Sequence, residues 1–200
     1  MSNKPSRKVT KVLQKSLKAS VNEKDVENAY RAAISQHFPG VTSSPFNVDG
    51  LLECEDVRSL LEFKHNLDFK SKVAQCGVLL QGLFYIKKFE VAGKKLPTTV
   101  FVGDVNECFC MRTTALVKYL KHSIDWNVPP SQAAARLPDA LKALVDDQDI
   151  LPFVFDADGE HFEFGEVIEK ISFLAREWFI KSESQKTMWL RYSITGETMF

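Results

Sequence analysis

Three polar side chains in one short segment have the types and the spacing that metal-assisted hydrolysis requires. Glu62 and Lys64 are two residues apart in a strand-like run, and such residues point to the same face of a β-strand. Asp49 lies thirteen residues before Glu62 and next to Gly50, so a hairpin would bring the two carboxylates together. Taken alone, the Glu-x-Lys pair is also compatible with a solvent-facing ion pair.

Two carboxylates and a lysine around one point predict a site for a hard divalent cation. Mg²⁺ prefers oxygen ligands and takes one or two carboxylates together with water and a substrate phosphate. Such a metal neutralises charge on a phosphodiester and lowers the pKa of a bound water, while Lys64 holds that water or stabilises the developing charge. We therefore expect Asp49 and Glu62 as metal ligands and Lys64 as the catalytic lysine. Mg²⁺ is the expected cofactor, and Mn²⁺ is expected to replace it.

The pattern of apolar residues predicts the elements that must position these side chains. An α/β fold is expected, with a mixed central β-sheet flanked by helices and a small α+β C-terminal extension. Period-two pairs of phenylalanines at 153 and 155 and at 162 and 164 indicate short additional strands. Helices are predicted over 8–19, 23–36, 70–89, 114–122, 131–147 and 167–180, and strands over 46–54, 59–64, 98–103 and 107–111.

The charge pattern and the Pro129-Pro130 pair suggest three segments. Residues 1–20 are rich in lysine and arginine and are interpreted as a basic N-terminal arm, which could contact phosphate or simply be solvated. Residues 21–128 contain the predicted site and form the expected core domain. Residues 129–200 are acidic and are expected to form the extension, leading into a longer protein.

The composition excludes several classes of protein. No apolar run approaches the roughly 18 residues of a membrane span, which excludes a transmembrane protein. The N-terminus lacks the apolar stretch of a secretory signal, and four cysteines in 200 residues do not resemble a disulfide framework. A reduced, cytoplasmic compartment is expected.

The order of these motifs resembles that of a known enzyme superfamily. A helix with Glu27, then Asp49-Gly50, then Glu62-Phe63-Lys64, then a helix with Gln81-Gly-Leu-Phe-Tyr85 is similar to the PD-(D/E)xK, or restriction-endonuclease-like, nucleases. The Gln-xxx-Tyr spacing resembles that of the RecB-like branch. This order of motifs is also similar to that of N-terminal nuclease modules in restriction–modification proteins and in helicase or methyltransferase fusion proteins. Val48 stands where many members have proline.

The resemblance implies a function and assigns roles to individual residues. Asp49, Glu62 and the backbone carbonyl of Phe63 would ligate the metal, with Glu27 assisting the metal or orienting a water, and Lys64 would be catalytic. Gln81 and Tyr85 would brace the site or contact the DNA backbone. The implied function is a Mg²⁺-dependent DNA endonuclease, the nuclease module of a restriction or DNA-processing enzyme. Its expected partners are DNA and further domains or subunits of a restriction–modification or helicase assembly, with no membrane.

Two other functions fit the same sequence, and several residues have two interpretations. The chain could be a non-catalytic nucleic-acid-binding module or a protein-interaction module that keeps the nuclease fold. Tryptophans are interpreted as packing residues rather than as platforms for bases. A stripe of lysines could contact phosphates or form the solvated face of a helix. The stripe comprises Lys70, Lys72, Lys87, Lys88, Lys94 and Lys95, and the tryptophans are Trp126, Trp178 and Trp189.

Overall fold

The computed structural model describes residues 7–38, 42–54 and 57–176. Predictions for the first six residues, for Trp178 and Trp189, and for the end of the last helix and of the extension lie outside these ranges. Within them, no helix combines the length and the apolar character needed to cross a membrane.

Seven helices and six strands are assigned in the described ranges, and most begin within two residues of the predicted positions. The helices are α1 Arg7–Lys18, α2 Glu23–Ser35, α3 Lys72–Val91, α4 Thr114–Val117, α5 Ala133–Arg136, α6 Pro138–Asp146 and α7, helical over 164–176. The strands are β1 Thr42–Ser43, β2 Gly50–Cys54, β3 Val57–Phe63, β4 Thr99–Gly103, β5 Glu107–Arg112 and β6 Phe153–Asp156.

Local chemistry explains where the elements around the site begin. The Asn22 side chain accepts a hydrogen bond from the Asp25 amide, which caps α2, and the Ser71 side chain does the same for the Ala74 amide at the start of α3. The predicted strand over 46–54 begins only at Gly50. The preceding residues Pro45–Asn47 form a 3₁₀ turn instead, in which φ is 60° at Phe46.

The six strands form one mixed sheet in chain order, which confirms the predicted α/β class. Four of the five neighbouring pairs are antiparallel, whereas β3 and β4 are parallel and are connected through α3. A parallel pair needs such a crossover, because its second strand must start at the same end of the sheet as the first. The carboxyl end of β3 therefore lies beside that of β4, with Phe63 opposite Gly103.

The sheet separates two hydrophobic layers. Leu60 belongs to the layer that contains α3, and its neighbour Leu61 belongs to the layer that contains α1, α2 and α7. This alternation is the period of two expected of a strand with both faces buried. Glu62 follows the same alternation and points toward α3, as its hydrogen bond to Gln81 on that helix shows.

The three predicted segments share these two layers. The predicted arm is, over residues 7–18, a helix whose Leu13 and Leu17 are buried in the α2 layer. The predicted extension adds β6 to the edge of the same sheet through pairing with β5. It also adds α7, whose Phe164 amide donates to the Thr10 hydroxyl at 3.1 Å. Apolar residues of α1 and α7 therefore pack both ends of the described chain against the core.

Two predicted elements differ in the structure. The helix predicted over 114–122 is four residues of α4 followed by the 3₁₀ turn Lys118–Lys121. The phenylalanines at 162 and 164 do not form a strand, because α7 begins at 164 and buries both rings in the α2 layer. Two residues two apart are too short a pattern to separate a strand from the entry to a helix.

Candidate active site

The predicted carboxylates meet at the carboxyl end of β3. Strand β2 pairs with β3 so that Gly50 lies opposite Leu61, and continuing this register by one residue sets Asp49 opposite Glu62. The Asp49 carboxylate accepts a hydrogen bond of 2.8 Å from the Phe63 amide. The hairpin therefore holds Asp49 against the residue between Glu62 and Lys64.

Glu62 is a fully buried carboxyl group with an incomplete set of partners. Its exposed fraction is 0%, and its Oε1 accepts a hydrogen bond of 3.1 Å from the Gln81 side-chain amide. Its Oε2 is buried and receives no hydrogen bond from any donor in the described part of the chain. Buried carboxylates are normally satisfied by several donors, so this oxygen requires an explanation.

The environment of Glu62 favours its protonated form. Burial raises its pKa from the ordinary 4.5 to about 9, and the negative charges of Asp49 and Glu23 act in the same direction, while Lys64 opposes them. Asp49 also raises this pKa as a hydrogen-bonding partner. Burial and the neighbouring acids therefore favour a protonated Glu62 at neutral pH.

Lys64 faces this pair of carboxyl groups from just beyond the end of β3. Its backbone amide donates to the Gly103 carbonyl at 2.9 Å, which continues the β3–β4 ladder by one residue. Its Nζ lies 3.8 Å from Glu62 Oε1 and 3.3 Å from Glu23 Oε1. The ammonium group is mostly buried and is held by one carboxyl group on either side.

Glu27 is placed next to the site rather than in its centre. Its carboxylate pairs with Lys24 Nζ and with Arg31 Nε, each at 2.8 Å, as neighbours on one face of α2. The Arg31 guanidinium in turn donates to the backbone carbonyl of Asp49. The structure thus connects Glu27 to the site through Arg31, whereas Glu23, one helical turn earlier, contacts Lys64.

Tyr85 lies one turn after Gln81 on α3 and is nearly buried. Burial is the main cause that raises the pKa of its hydroxyl, and the charge of Glu62 adds to this effect. A hydrogen bond with Gln81 acts in the opposite direction. Gln81 therefore stands between Tyr85 and Glu62 and joins the two.

Sequence reasoning did not select Glu23 or Arg31. Both lie on α2, and the capping by Asn22 indicated that Glu23 lies in the first turn of a helix. The rotation of that helix about its axis decides which of its carboxylates reaches Lys64, and the sequence does not contain this angle. Arg31 could have been noticed as the residue four after Glu27, at ion-pair spacing.

The donor set suits a small hard cation. In the described ranges, no three His, Cys, Asp or Glu side chains are grouped as ligands of a metal. Mg²⁺, however, commonly takes only one or two carboxylates and completes its shell with water and phosphate. The donor-free Glu62 Oε2 near the Asp49 carboxyl is the kind of oxygen that such an ion would satisfy in place of a proton on Glu62.

Comparisons with known proteins add no assignment to this geometry. No family model, no curated protein and no solved structure matches the chain, so a functional proposal rests on the site itself.

Proposed function

We propose that the protein is a Mg²⁺-dependent DNA endonuclease that hydrolyses phosphodiester bonds, as the nuclease module of a restriction or DNA-processing enzyme. The observation that carries the proposal is the fully buried Glu62, whose Oε2 receives no hydrogen bond from the described residues and which lies beside Asp49 and Lys64. The order of helix, hairpin and crossover helix around it is the order that the resemblance to PD-(D/E)xK nucleases implies.

A purely structural role does not account for Glu62. Burying a carboxyl group costs free energy that hydrogen bonds must offset, and an apolar residue among Leu60, Leu61 and Phe63 would avoid this cost. The surrounding residues do not neutralise Glu62 with a full ion pair, since Lys64 is shared with Glu23 at a shorter distance. A costly buried acid that is left partly unsatisfied is typical of a ligand site.

Each residue then has a definite role. Asp49 and Glu62 would hold the metal together with the predicted ligand, the Phe63 carbonyl. The bound ion supplies Lewis-acid stabilisation of the phosphate and a water of lowered pKa. Lys64 holds the attacking water or stabilises negative charge on the phosphate with its ammonium group. Gln81 fixes the orientation of the Glu62 carboxyl through its hydrogen bond.

Tyr85 and Glu27 support this centre from outside. Tyr85, one turn from Gln81, would brace the site or contact the DNA backbone. Glu27 positions Arg31, which donates to the Asp49 carbonyl and so fixes the bend that leads into β2. Glu27 then acts as a positioning residue, and Glu23 is the carboxylate of α2 that interacts with Lys64.

The compartment and the partners follow from the same proposal. The four cysteines are free thiols, and burial raises the pKa of Cys76 to about 11 and that of Cys110 to about 12, which makes both thiols unreactive. This supports a reduced, cytoplasmic compartment. DNA is the proposed substrate, and further domains or subunits of a restriction–modification or helicase assembly are the proposed partners.

A cleavage assay tests the function directly. Supercoiled plasmid and linear single- and double-stranded DNA are incubated with the protein and Mg²⁺ or Mn²⁺, with EDTA as a control. Glu62→Ala removes a proposed ligand, and Glu169→Ala on the exposed face of α7 serves as the matched control. We expect metal-dependent cleavage that disappears in Glu62→Ala and persists in Glu169→Ala.

Other results would contradict the proposal. A folded protein that neither cleaves DNA nor binds Mn²⁺ would exclude the nuclease. Salt-sensitive DNA binding that survives Glu62→Ala, without any cleavage, would instead support the non-catalytic nucleic-acid-binding module.

A further inference from the structure

An open groove lies along α3 around Lys88, about two helical turns (~10 Å) beyond Gln81. Gln81, Tyr85 and Lys88 are spaced by four and three residues, so they follow one face of the helix. Gln81 contacts Glu62 at one end of this row. At the other end, Lys88 Nζ donates to the backbone carbonyl of Phe46 at 3.3 Å. The row therefore leads from the carboxylates into the groove.

The groove has the size and the walls of a ligand site. Its volume is about 370 Å³, within the range of small-molecule pockets. Three aromatic side chains line it, Phe46, Phe84 and Trp126, together with Lys87 and Lys88. Phe46 belongs to the 3₁₀ turn that precedes Asp49, so one wall and one proposed metal ligand share the same short segment.

The aromatic walls are held in place by other rings. Trp126 packs edge-on against Phe84, with ring centroids 5.1 Å apart, and Phe46 packs edge-on against Phe89 at 5.0 Å. In these T-shaped contacts the planes of the two rings meet at 62° and 86°, so neither pair is stacked face to face. Phe46 adopts a φ of 60°, which non-glycine residues rarely adopt, so the turn keeps this ring in position at a conformational cost.

Ammonium groups lie over three of the rings. Lys87 Nζ is 5.5 Å from the centroid of Trp126, Lys88 Nζ is 5.0 Å from that of Tyr85, and Lys94 Nζ is 5.0 Å from that of Phe46. Lys87 Nζ also pairs with Glu90 Oε2 at 2.6 Å, one turn further along α3. Aromatic faces combined with positive charge are the chemistry that recognises bases together with their phosphates.

We propose that this groove binds an unpaired nucleotide, with its base against Trp126 and its phosphates on Lys87 and Lys88. The substrate of the proposed nuclease is therefore DNA that is single-stranded beside the cleaved bond. A duplex cannot fill the groove in this way, because its bases are stacked on each other and their faces are not accessible. The proposal rests on the proposed function for the choice of DNA and of the bond that is cut.

The interpretation of Trp126 as a packing residue changes accordingly. Its contact with Phe84 anchors it to the α3 layer, but the ring is only half-buried and lines an open groove. Both properties are needed by a stacking platform, which must be rigid on one side and accessible on the other.

Binding and cleavage are measured separately to test the proposal. A fluorescent 15-nucleotide strand of mixed sequence and its duplex are titrated in EDTA, where anisotropy reports binding without cleavage. Trp126→Leu removes the aromatic face and keeps apolar volume, Trp126→Phe restores a ring, and Phe173→Leu is the matched control on α7 across the sheet. Lys87→Glu tests the same groove through its charge. It replaces Trp126→Leu if a thermal melt shows that Trp126→Leu is not folded.

We expect tighter binding of the single strand than of the duplex. Trp126→Leu should weaken single-strand binding about 5- to 100-fold, the range for loss of one stacked base. Trp126→Phe should recover most of this affinity, Lys87→Glu should lose it, and Phe173→Leu should not change it. Equal affinity of wild type and folded Trp126→Leu, unchanged binding by Lys87→Glu, or a duplex bound as tightly as the strand would each overturn the proposal.

The cleavage assay with Mg²⁺ distinguishes the two proposals. Trp126-dependent single-strand binding without any metal-dependent cleavage would support nucleotide binding in the groove and contradict the proposed nuclease activity. Cleavage that depends on Glu62, but is the same in Trp126→Leu and for single- and double-stranded DNA, would support the nuclease activity and contradict nucleotide binding in the groove.

Discussion

The side-chain amide of Gln81 donates a hydrogen bond of 3.1 Å to Glu62 Oε1, and this contact joins α3 to the carboxyl end of β3. The same carboxyl group has a buried second oxygen that no described donor reaches. One carboxyl oxygen is thus held by a donor, and the other is buried without one among the described residues. The hydrogen bond from Gln81 fixes the orientation of Glu62, whereas the oxygen without a described donor makes its burial costly.

Replacing Glu62 with glutamine should stabilise the folded protein at neutral and alkaline pH. The folded state keeps a proton on Glu62 between its ordinary pKa of 4.5 and about 9, whereas the unfolded chain releases it. The folded state thus binds more protons, and the free energy of unfolding falls as pH rises through this window. Glu62→Gln removes this cost, and we expect a gain of about 1–3 kcal/mol at pH 8.

Thermal melts from pH 5 to pH 9 measure this effect. The difference in Tm between Glu62→Gln and wild type should be small at pH 5 and should grow with pH, while the exposed Glu169→Gln shows no such trend. A stability difference that does not depend on pH would mean that Glu62 is not protonated in the folded state.

Metal binding should release a proton at neutral pH. The cation takes the place of the proton that burial favours on Glu62, so apparent affinity for Mg²⁺ or Mn²⁺ should rise between pH 6 and pH 9. Calorimetric titration with Mn²⁺ in two buffers of different ionisation enthalpy measures the protons released, and we expect about one per metal. The Glu62→Gln variant should bind the metal far more weakly, and buffer-independent heats in wild type would contradict a protonated Glu62 in the metal-free protein.

Lys64 should be needed for cleavage but not for metal binding. Its ammonium lies 3.8 Å from Glu62 Oε1 and is itself no ligand for a cation. Lys64→Ala should lower the cleavage rate by at least ~100-fold, as loss of one charge-stabilising donor does, while affinity for Mn²⁺ stays within about tenfold. Lys24→Ala, which removes an exposed lysine of α2 that pairs with Glu27, is the control. Loss of metal binding in Lys64→Ala would assign the lysine a structural role.

The sequence predicted the hairpin and its two carboxylates because short-range chemistry determines them. A turn separates two apolar runs, and the period of two along β3 fixes that Glu62 points away from Leu61 and Phe63. The cap at Asn22 likewise determined the start of α2. These features depend on residues within a few positions of one another, which is the range that sequence patterns report.

The features that sequence did not predict depend on packing between distant elements. Glu23 rather than Glu27 contacts Lys64 because of how α2 is rotated against the sheet, and Arg31 reaches Asp49 across eighteen residues of chain. The half-burial of Trp126 depends on where its loop meets α3. Patterns of apolar residues give the buried face of a helix but not its exact rotation or its neighbours.

Replacing Glu23 and replacing Glu27, the two α2 carboxylates near the site, should have different effects. Glu23 is half-exposed and raises the pKa of Glu62, so Glu23→Gln should move the acidic limb of the cleavage profile to lower pH with little change in stability. Glu27 is paired with the partly buried Arg31, so Glu27→Gln should cost about 0.5–1 kcal/mol of stability without moving that limb. Activity profiles and melts of both variants measure these effects, and a shifted profile in Glu27→Gln alone would return Glu27 to the centre of the site.

Gly103 should be intolerant of any side chain, because it lies beside the ring that supports the end of β4. A Cβ at this position would stand 2.6 Å from Tyr30, a fully buried side chain whose hydroxyl donates to the Asp104 carbonyl at 2.9 Å. The ring cannot move away without losing that bond and its packing, so Gly103→Ala should destabilise the protein by about 1–3 kcal/mol. It should also lower cleavage, because the Gly103 carbonyl accepts the Lys64 amide.

Gly77 provides the matched control for Gly103, because it lies within α3 where the nearest atom to an added Cβ is 3.5 Å away, an ordinary contact. Alanine is favoured over glycine inside a helix, so Gly77→Ala should stabilise the protein by roughly 0.5–1 kcal/mol. Chemical denaturation of both variants gives the two free energies of unfolding. Equal effects of the same sign would show that the Tyr30 ring does not restrict the side chain at position 103.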